Sequence, residues 1–369
     1  MKRTAINPRK DYQKKIEEMG FNFHTDYWKE NAYYSFTMKE IEEIENATNA
    51  CYAMFVGAVE HILEKNLFHR LHIPEGMEQA IRDSWDRDDL SLYGRFDFAM
   101  VNGVPKLLEF NADTPTSLLE ASVIQWQWKE DLFPESDQFN AIHESLVQSF
   151  RDIQERYNMN RYHFVCCREN VEDEETLQYL VAAAMEAGLN TAEMEMEQLY
   201  LEDGAFYDPS GEKVDCCFKL YPWEWLMNES QDGCKADILW LEPLWKSLMS
   251  NKAILSVMSE LYPDSPYILK CSDKSPAGMK GYCRKPIFSR EGANVSLVKD
   301  GEVIEQTEGE YGEEGYVYQE LAEIQPFDGK YPVIGSWVIG GISSGMGIRE
   351  TSSRITDNMS EFIPHIIVE

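Results

Sequence analysis

Between Arg95 and Glu120 the chain reads RFDFAMVNGVPKLLEFNADTPTSLLE, and Arg95, Asp97, Glu109 and Asn111 interrupt two apolar alternations at two-residue steps. Residues two apart on a strand share a face. Arg95 therefore lies with Asp97 and Glu109 with Asn111, opposite Phe96, Phe98, Leu108 and Phe110. The turn decides whether the polar faces meet. A two-residue Asn102-Gly103 turn pairs 101 with 104 and sets Asp97 against Leu108; a three-residue loop, 102–104, pairs 101 with 105 and sets Asp97 against Glu109 and Arg95 against Asn111. The polar pattern favours the three-residue loop. That register opposes two carboxylates, which is destabilising unless positive charge sits between them. Oxygens of Asp, Glu and Asn suit Mg²⁺, with phosphate oxygens completing its octahedron. Arg95, one step along, can hold a phosphoryl or carboxylate oxygen in its fork. The pattern leaves a second reading open, a solvated face on an edge hairpin with Arg95 neutralising Asp97.

Downstream, Thr114, Thr116 and Ser117 stand just before an expected helix over Leu118–Trp128, with Ser117 and Glu120 in a capping-box arrangement. Free amides at a helix start favour an anion, though hydroxyls there are also ordinary caps. In the last third, Lys252 begins a short amphipathic helix and Lys285 lies in the strand-like CRKPIF; either also reads as a surface lysine. FSREGANV (288–295) is a short glycine-containing connection of the kind that folds over phosphates. VYQELAE runs from a strand into a bend whose main chain can hold an adenine edge. GGISSGMGIRE is not G-x-G-x-x-G and precedes no helix, so a dinucleotide fingerprint is rejected and its glycines read as close strand packing. Arg349 and Glu350 end that strand as a second cation–acid pair.

These residues need elements to carry them. Thr37 and Glu40 form a capping box before a helix over 38–65, whose apolar face runs through Ile41, Ile44, Cys51, Phe55, Val59 and Ile62. A strand at 162–169, a helix at 173–189 and a strand at 212–223 predict an α/β layer with partly parallel pairing, which places ligand groups at strand ends. After a helix at 251–262 the chain turns β-rich, with hairpin signals at Asp300-Gly301 and Gly340-Gly341. The acidic run at 305–315 reads as a solvated loop, and a boundary falls near 250.

The 369 residues carry a net charge of −31, which argues against a nucleic-acid partner and weakly favours small cationic substrates. No secretory signal opens the chain, and no run approaches the roughly 20 apolar residues of a spanning helix, so a cytoplasmic protein is expected. Eight cysteines without a C-x-x-C pair read as reduced core thiols.

The stretch RFDF…KLLEFNADTPTSLLEA resembles the signature of the glutathionylspermidine synthase family, ATP-grasp ligases that join a carboxylate to an amine. NKAIL, RKPIFSREGANV, VYQEL, IGSWVIGG…GIRE and FIPHIIVE extend the resemblance across nearly the whole chain. It implies an α/β (α+β) ATP-grasp fold with a pre-ATP-grasp-like α/β domain, residues 1–250 binding substrate and carrying the 95–111 hairpin, and 251–369 binding nucleotide. It implies Mg²⁺ on Asp97, Glu109 and Asn111, and Arg95 as the catalytic residue at the acyl phosphate. ATP would meet Arg95, Phe96, Asp97, Lys252, Lys285, Gly292, Gln319, Glu320, Leu321, Ala322, Arg354, Ile355 and Thr356. A peptide-like acid and an amine would meet Arg95, Thr114, Thr116, Glu174, Glu175 and Arg349. Bifunctional members carry an N-terminal amidase domain for which this chain has no room, so no hydrolase activity is expected. Acyl phosphates hydrolyse, so loops 288–294 and 305–315 are candidate lids. A phosphotransferase and a non-catalytic ATP-binding regulator are the alternative functions.

Overall fold

The computed structural model describes residues 1–167, 170–357 and 360–369. The long helix Met38–Lys65 starts at the expected capping box, in which Thr37 N–H donates to Glu40 Oε2 at 2.9 Å and Glu40 N–H returns to Thr37 Oγ1. Its apolar face lies against the hairpin: the Phe55 ring sits 5.5 Å from Phe96 and 5.2 Å from Phe110, and those two stack at 3.9 Å. Each fully buried ring is worth roughly 1.5–3 kcal/mol. One face of the hairpin is thereby committed to the core, which leaves the polar face turned to the cleft.

The hairpin strands Tyr93–Val101 and Val104–Asn111 form one edge of a five-stranded antiparallel sheet, followed in order by Tyr331–Ile339, Ile342–Thr351 and Glu361–Ile363. Gly335 pairs with Asp97 and Trp337 with Arg95, so segments from both sides of residue 250 share this sheet. A second five-stranded sheet runs Cys271–Ser272, Tyr316–Glu320, Gly281–Pro286, Ser296–Lys299 and Glu302–Gln306. The expected turns form at Asp300-Gly301 and Gly340-Gly341, all four residues having positive φ. The predicted α/β layer is a four-stranded parallel sheet of Leu239–Leu241, Cys216–Leu220, Tyr162–Cys166 and Thr191–Glu195, crossed by the helix Val171–Glu186. All eight cysteines are free thiols.

Two local expectations fail. Ser117 does not cap a helix: it is left-handed (φ 69) and its hydroxyl bonds the Tyr27 hydroxyl, while the chain enters a π-helical turn at Glu120–Ile124 before the α-helix Gln125–Leu132. A non-glycine residue held there costs on the order of 1–3 kcal/mol, so its surroundings fix it. Arg349 and Glu350 do not pair either, because neighbours on a strand point to opposite faces. Glu350, fully buried, accepts the Arg3 fork (Nη2 to Oε1, 2.7 Å) and the Tyr34 hydroxyl (2.6 Å). Arg3 and Tyr34 belong to a small sheet in which Lys2–Ala5, Ala32–Thr37 and His365–Val368 weave the two chain ends together. Among the described residues no helix is long and apolar enough to cross a membrane.

Candidate active site

The hairpin reaches the expected register by an unexpected route. Asn102 (φ 51) and Gly103 (φ 80) make a two-residue turn that pairs Val101 with Val104. Phe98 then pairs with Leu107, but Asp97 pairs with Glu109 and Arg95 with Asn111. Leu108 is the extra residue, a β-bulge that shifts parity inside the strand and brings the polar faces together. The bulge also re-aims main-chain groups. The Leu108 carbonyl accepts from Lys285 Nζ at 2.8 Å, and the Leu107 carbonyl from Gln319 Nε2 at 2.9 Å.

The opposed carboxylates are flanked by cations, as their register requires. Asp97 Oδ1 accepts from Arg95 Nε at 2.8 Å, and its Oδ2 from Arg349 Nη2 at 2.9 Å. Glu109 lies 3.3 Å from Lys252 Nζ. Burial pushes the Glu109 carboxyl up, but Lys252, Lys285 and Arg95 outweigh it and hold it well below the usual carboxylate range. Arg95 is itself positioned: its Nη1 donates to the Thr116 carbonyl at 2.7 Å, and a Cβ on Gly335 would stand 2.9 Å from its Cδ.

Two cavities meet at this pair. One, of about 490 Å³, is walled by Leu108, Val295, Leu297, Leu321 and Ile355 and reached by Lys285, Arg354 and the 319–322 segment. The other, of about 240 Å³, is faced by Arg95, Asn111, Thr114, Thr116, Arg290 and Arg349 together with Glu172, Asp173 and Glu224. Asp97, Glu109, Lys252, Ser289, Glu291, Gly292 and Thr356 line both. Gly292 (φ 66) is required where it stands, since a Cβ would come within 2.5 Å of the Thr356 carbonyl oxygen.

The residues expected around ATP thus surround the larger cavity, with two exceptions. Phe96 packs its side chain into the core against Phe110, and Arg95 faces the smaller cavity. Of the expected substrate residues, Thr114, Thr116 and Arg349 line the smaller cavity; Glu174 and Glu175 do not. Glu174 is exposed, and Glu175 is buried behind the cleft, accepting the Asn22 and Phe23 amides at 2.8 and 3.3 Å. The helix begins at the Asn170 cap, so its first turn presents Glu172 and Asp173 to the cleft, and Glu175 rotates away.

Several residues were not anticipated. Arg290 joins the 288–294 loop to the opposite wall, donating to Glu224 Oε1 at 2.6 Å and to Thr114 Oγ1 at 2.9 Å; it is the one cation of FSREGANV, which was an available signal. Burial and the neighbouring Glu172 raise Asp173 to about 7 and, behind the wall, Glu120 to about 8. Burial and Glu172 likewise raise Glu291. The result is an acid-rich wall in which Arg290 and Arg349 offset only part of the rise.

The donor set fits a hard cation. Asn111 carries a buried side-chain amide nitrogen without a partner, and amide N and O are interchangeable in such a site, so an oxygen can be turned inward beside Glu109. Among the described residues no three His, Cys, Asp or Glu converge as a metal cage. Asp97 and Glu109 are held by Arg95, Arg349 and Lys252.

The family model "Glutathionylspermidine synthase preATP-grasp" matches residues 3–368. The chain belongs to the glutathionylspermidine synthase family. It is 36% identical over 392 residues to "Putative acid–amine ligase" of Haemophilus influenzae, covering 100% of both chains. It is 33% identical to trypanothione synthetase of Crithidia fasciculata, over 79% of this chain and 49% of that protein. With the bifunctional glutathionylspermidine synthetase/amidase of Escherichia coli it shares 26% identity over 91% of this chain and 59% of the other. It therefore spans one of these relatives fully and about half of the other two. The crystal structure of "Putative gamma-glutamylcysteine synthetase" from Methylobacillus flagellatus superposes with a TM-score of 0.50 at 10% identity, covering 81% of this chain and 86% of the other, a likeness of fold alone. Family membership makes this synthase-family chain an ATP-grasp, ATP-dependent ligase that forms an amide bond between an acid and an amine.

Proposed function

We propose that this ligase phosphorylates a peptide-like acid where the two cavities meet and passes the acyl group to an amine held by the acidic wall. The observation that carries the reading is the shared Asp97–Glu109–Lys252 floor, with a nucleotide-sized apolar chamber on one side and a charged chamber on the other. Lys252 and Lys285 neutralise the phosphates, the Gly292 loop covers them, and the 319–322 and 354–356 segments flank the base. Asp97, Glu109 and Asn111 would hold Mg²⁺, which supplies charge neutralisation for the moving phosphoryl group. Arg95, aimed by Asp97 and Thr116, grips the reacting carboxylate and stabilises the charge that develops on its oxygen. Arg349, Thr114, Thr116 and Arg290 orient the rest of the acid.

In the first step a carboxylate oxygen bonds to the γ-phosphorus and ADP leaves. In the second the amine nitrogen bonds to the acyl carbon, and the carbon–oxygen bond breaks to release phosphate. The amine arrives as a cation and must lose protons. Glu172, Asp173 and Glu291 attract it, and Asp173, poised at about 7, accepts a proton near neutral pH. Residues 1–250 then supply the acid and amine side and 251–369 the nucleotide side, with the hairpin crossing between them. A cytoplasmic setting suits both ATP and the free thiols.

Mass spectrometry after incubation with ATP, Mg²⁺ and pooled peptides and amines tests the reading. ADP release that needs both an acid and an amine, with a product one water lighter than their sum, supports it. ADP release with a stable phosphorylated acid makes the protein a phosphotransferase, and nucleotide binding without turnover makes it a regulator.

A further inference from the structure

At the inner wall of the smaller cavity, which Asp113 lines, lies a buried ion pair that the reaction above does not use. Lys219, on the Cys216–Leu220 strand of the parallel sheet, is fully buried. Its Nζ donates to Asp113 Oδ1 at 2.9 Å and to the Tyr221 carbonyl at 2.8 Å, and lies 3.9 Å from the centroid of the Trp223 ring. Asp113, 1% exposed, accepts the Trp223 N–H on its other oxygen at 2.7 Å. Both oxygens of Asp113 are thus turned to the parallel layer, although the residue belongs to the segment that follows the catalytic hairpin.

The next four residues connect that anchor to catalysis. Thr114 Oγ1 accepts from Arg290, the Pro115 carbonyl from the Tyr93 hydroxyl at 3.3 Å, and the Thr116 carbonyl from Arg95 Nη1 at 2.7 Å. Ser117 follows in its left-handed conformation. No ladder or helix fixes this segment, so its place depends on what grips it from outside. A buried Lys–Asp pair is an uneconomical way to join two layers, because desolvating both charges offsets most of their attraction and an apolar pair would serve as well. What the charged pair adds is direction: two hydrogen bonds, one to each carboxylate oxygen, orient Asp113, and through it the carbonyl three residues on.

We propose that Lys219 and Asp113 are positioning residues for the ligase reaction, holding the 113–117 segment so that the Thr116 carbonyl aims the Arg95 guanidinium at the acid. The role rests on the ligase reading, but the placement can be measured without it. Removing either charge alone strands the other in the core, so the informative variants are Lys219→Met/Asp113→Asn and Lys219→Gln/Asp113→Asn. Hydrogen exchange should quicken by about 10-fold over residues 113–118 and stay unchanged over 288–294 and 319–322. Calorimetry with Mg-ATP should give an affinity within about threefold of the parent, because phosphate contacts are untouched. ADP release with the acid and amine pool should show kcat lowered by about 100-fold with KM for ATP unchanged, the scale of a small misplacement at a reacting centre. Unchanged exchange, parent-like turnover, or nucleotide affinity falling in step with the rate would each overturn the assignment, as would failure of both variants to fold. Parent protein that releases no ADP with any pool would sink the ligase reading instead, and the exchange result would still decide whether the pair holds the segment.

Discussion

The two chambers on either side of Asp97 and Glu109 are built on opposite plans. The larger is walled by aliphatic side chains from an antiparallel sheet, with Lys252, Lys285 and Arg354 reaching in. The smaller collects charged and polar side chains from the hairpin, the helix at Val171, the Trp223 region, the 288–294 loop and the Ile342–Thr351 strand. A chamber that always takes the same ligand can recognise it by shape and main chain. A chamber that chooses among acids and amines must do so through charge and hydrogen bonding, with a penalty for groups left unpaired. On the proposed reading, the difference locates chemical identity on one side of the Asp97–Glu109 floor and energy supply on the other.

The separation can be broken from either side. Arg95→Ala should cost the largest effect, lowering ADP release with the substrate pool by at least about 1000-fold while Mg-ATP affinity stays within about threefold. A variant turning over at the parent rate would remove Arg95 from the chemistry. Deleting Leu108 attacks the other side. The two-residue turn without the bulge still sets Asp97 opposite Glu109, but Lys285 loses its carbonyl partner. Nucleotide affinity should weaken by about 10-fold, the worth of one charge-assisted hydrogen bond, in titration with Mg-ATP. Unaltered affinity would show that the bulge does not place Lys285.

The smallest effect concerns the acidic wall and is read as stability. Glu120 rises from 4.5 to about 8 and Asp173 from 3.8 to about 7, because burial and Glu172 disfavour their charged forms. The native state therefore holds protons that the unfolded chain releases. This contribution is present in full below about pH 4 and is lost as the pH climbs through 7 to 8. Thermal midpoints of the ligand-free protein should fall between pH 5 and 8. Glu120→Gln should raise the midpoint at pH 8 by roughly 2–4 °C and leave it unchanged at about pH 4. Equal shifts at both pH values would mean that Glu120 is not protonated in the native protein.

The polar face of the hairpin was legible because two-residue stepping survives any turn. The route to its register was not. The Asn-Gly turn signal was correct, and the error lay in assuming constant parity along the strand when a bulge can absorb one residue. At the Val171 helix the sequence offered four consecutive acids, and their assignment depended on helix phase. Asn170, an ordinary N-cap type, held that phase and points to Glu172 and Asp173. The Ser117 capping box failed because a tertiary bond to Tyr27 competed with the local one. Lys219 was visible as a lone cation in an apolar strand, but its partner lies 106 residues away and no local pattern names it.

Gly335 bears on how such a site changes over generations. It lines neither cavity and its backbone is ordinary strand, so substitutions there look harmless by every local criterion. A single added methyl would nevertheless enter the space of the Arg95 side chain. The arginine is thus maintained partly by an emptiness on the neighbouring strand. A descendant could lose its ligase activity by filling that space while every catalytic side chain remained intact.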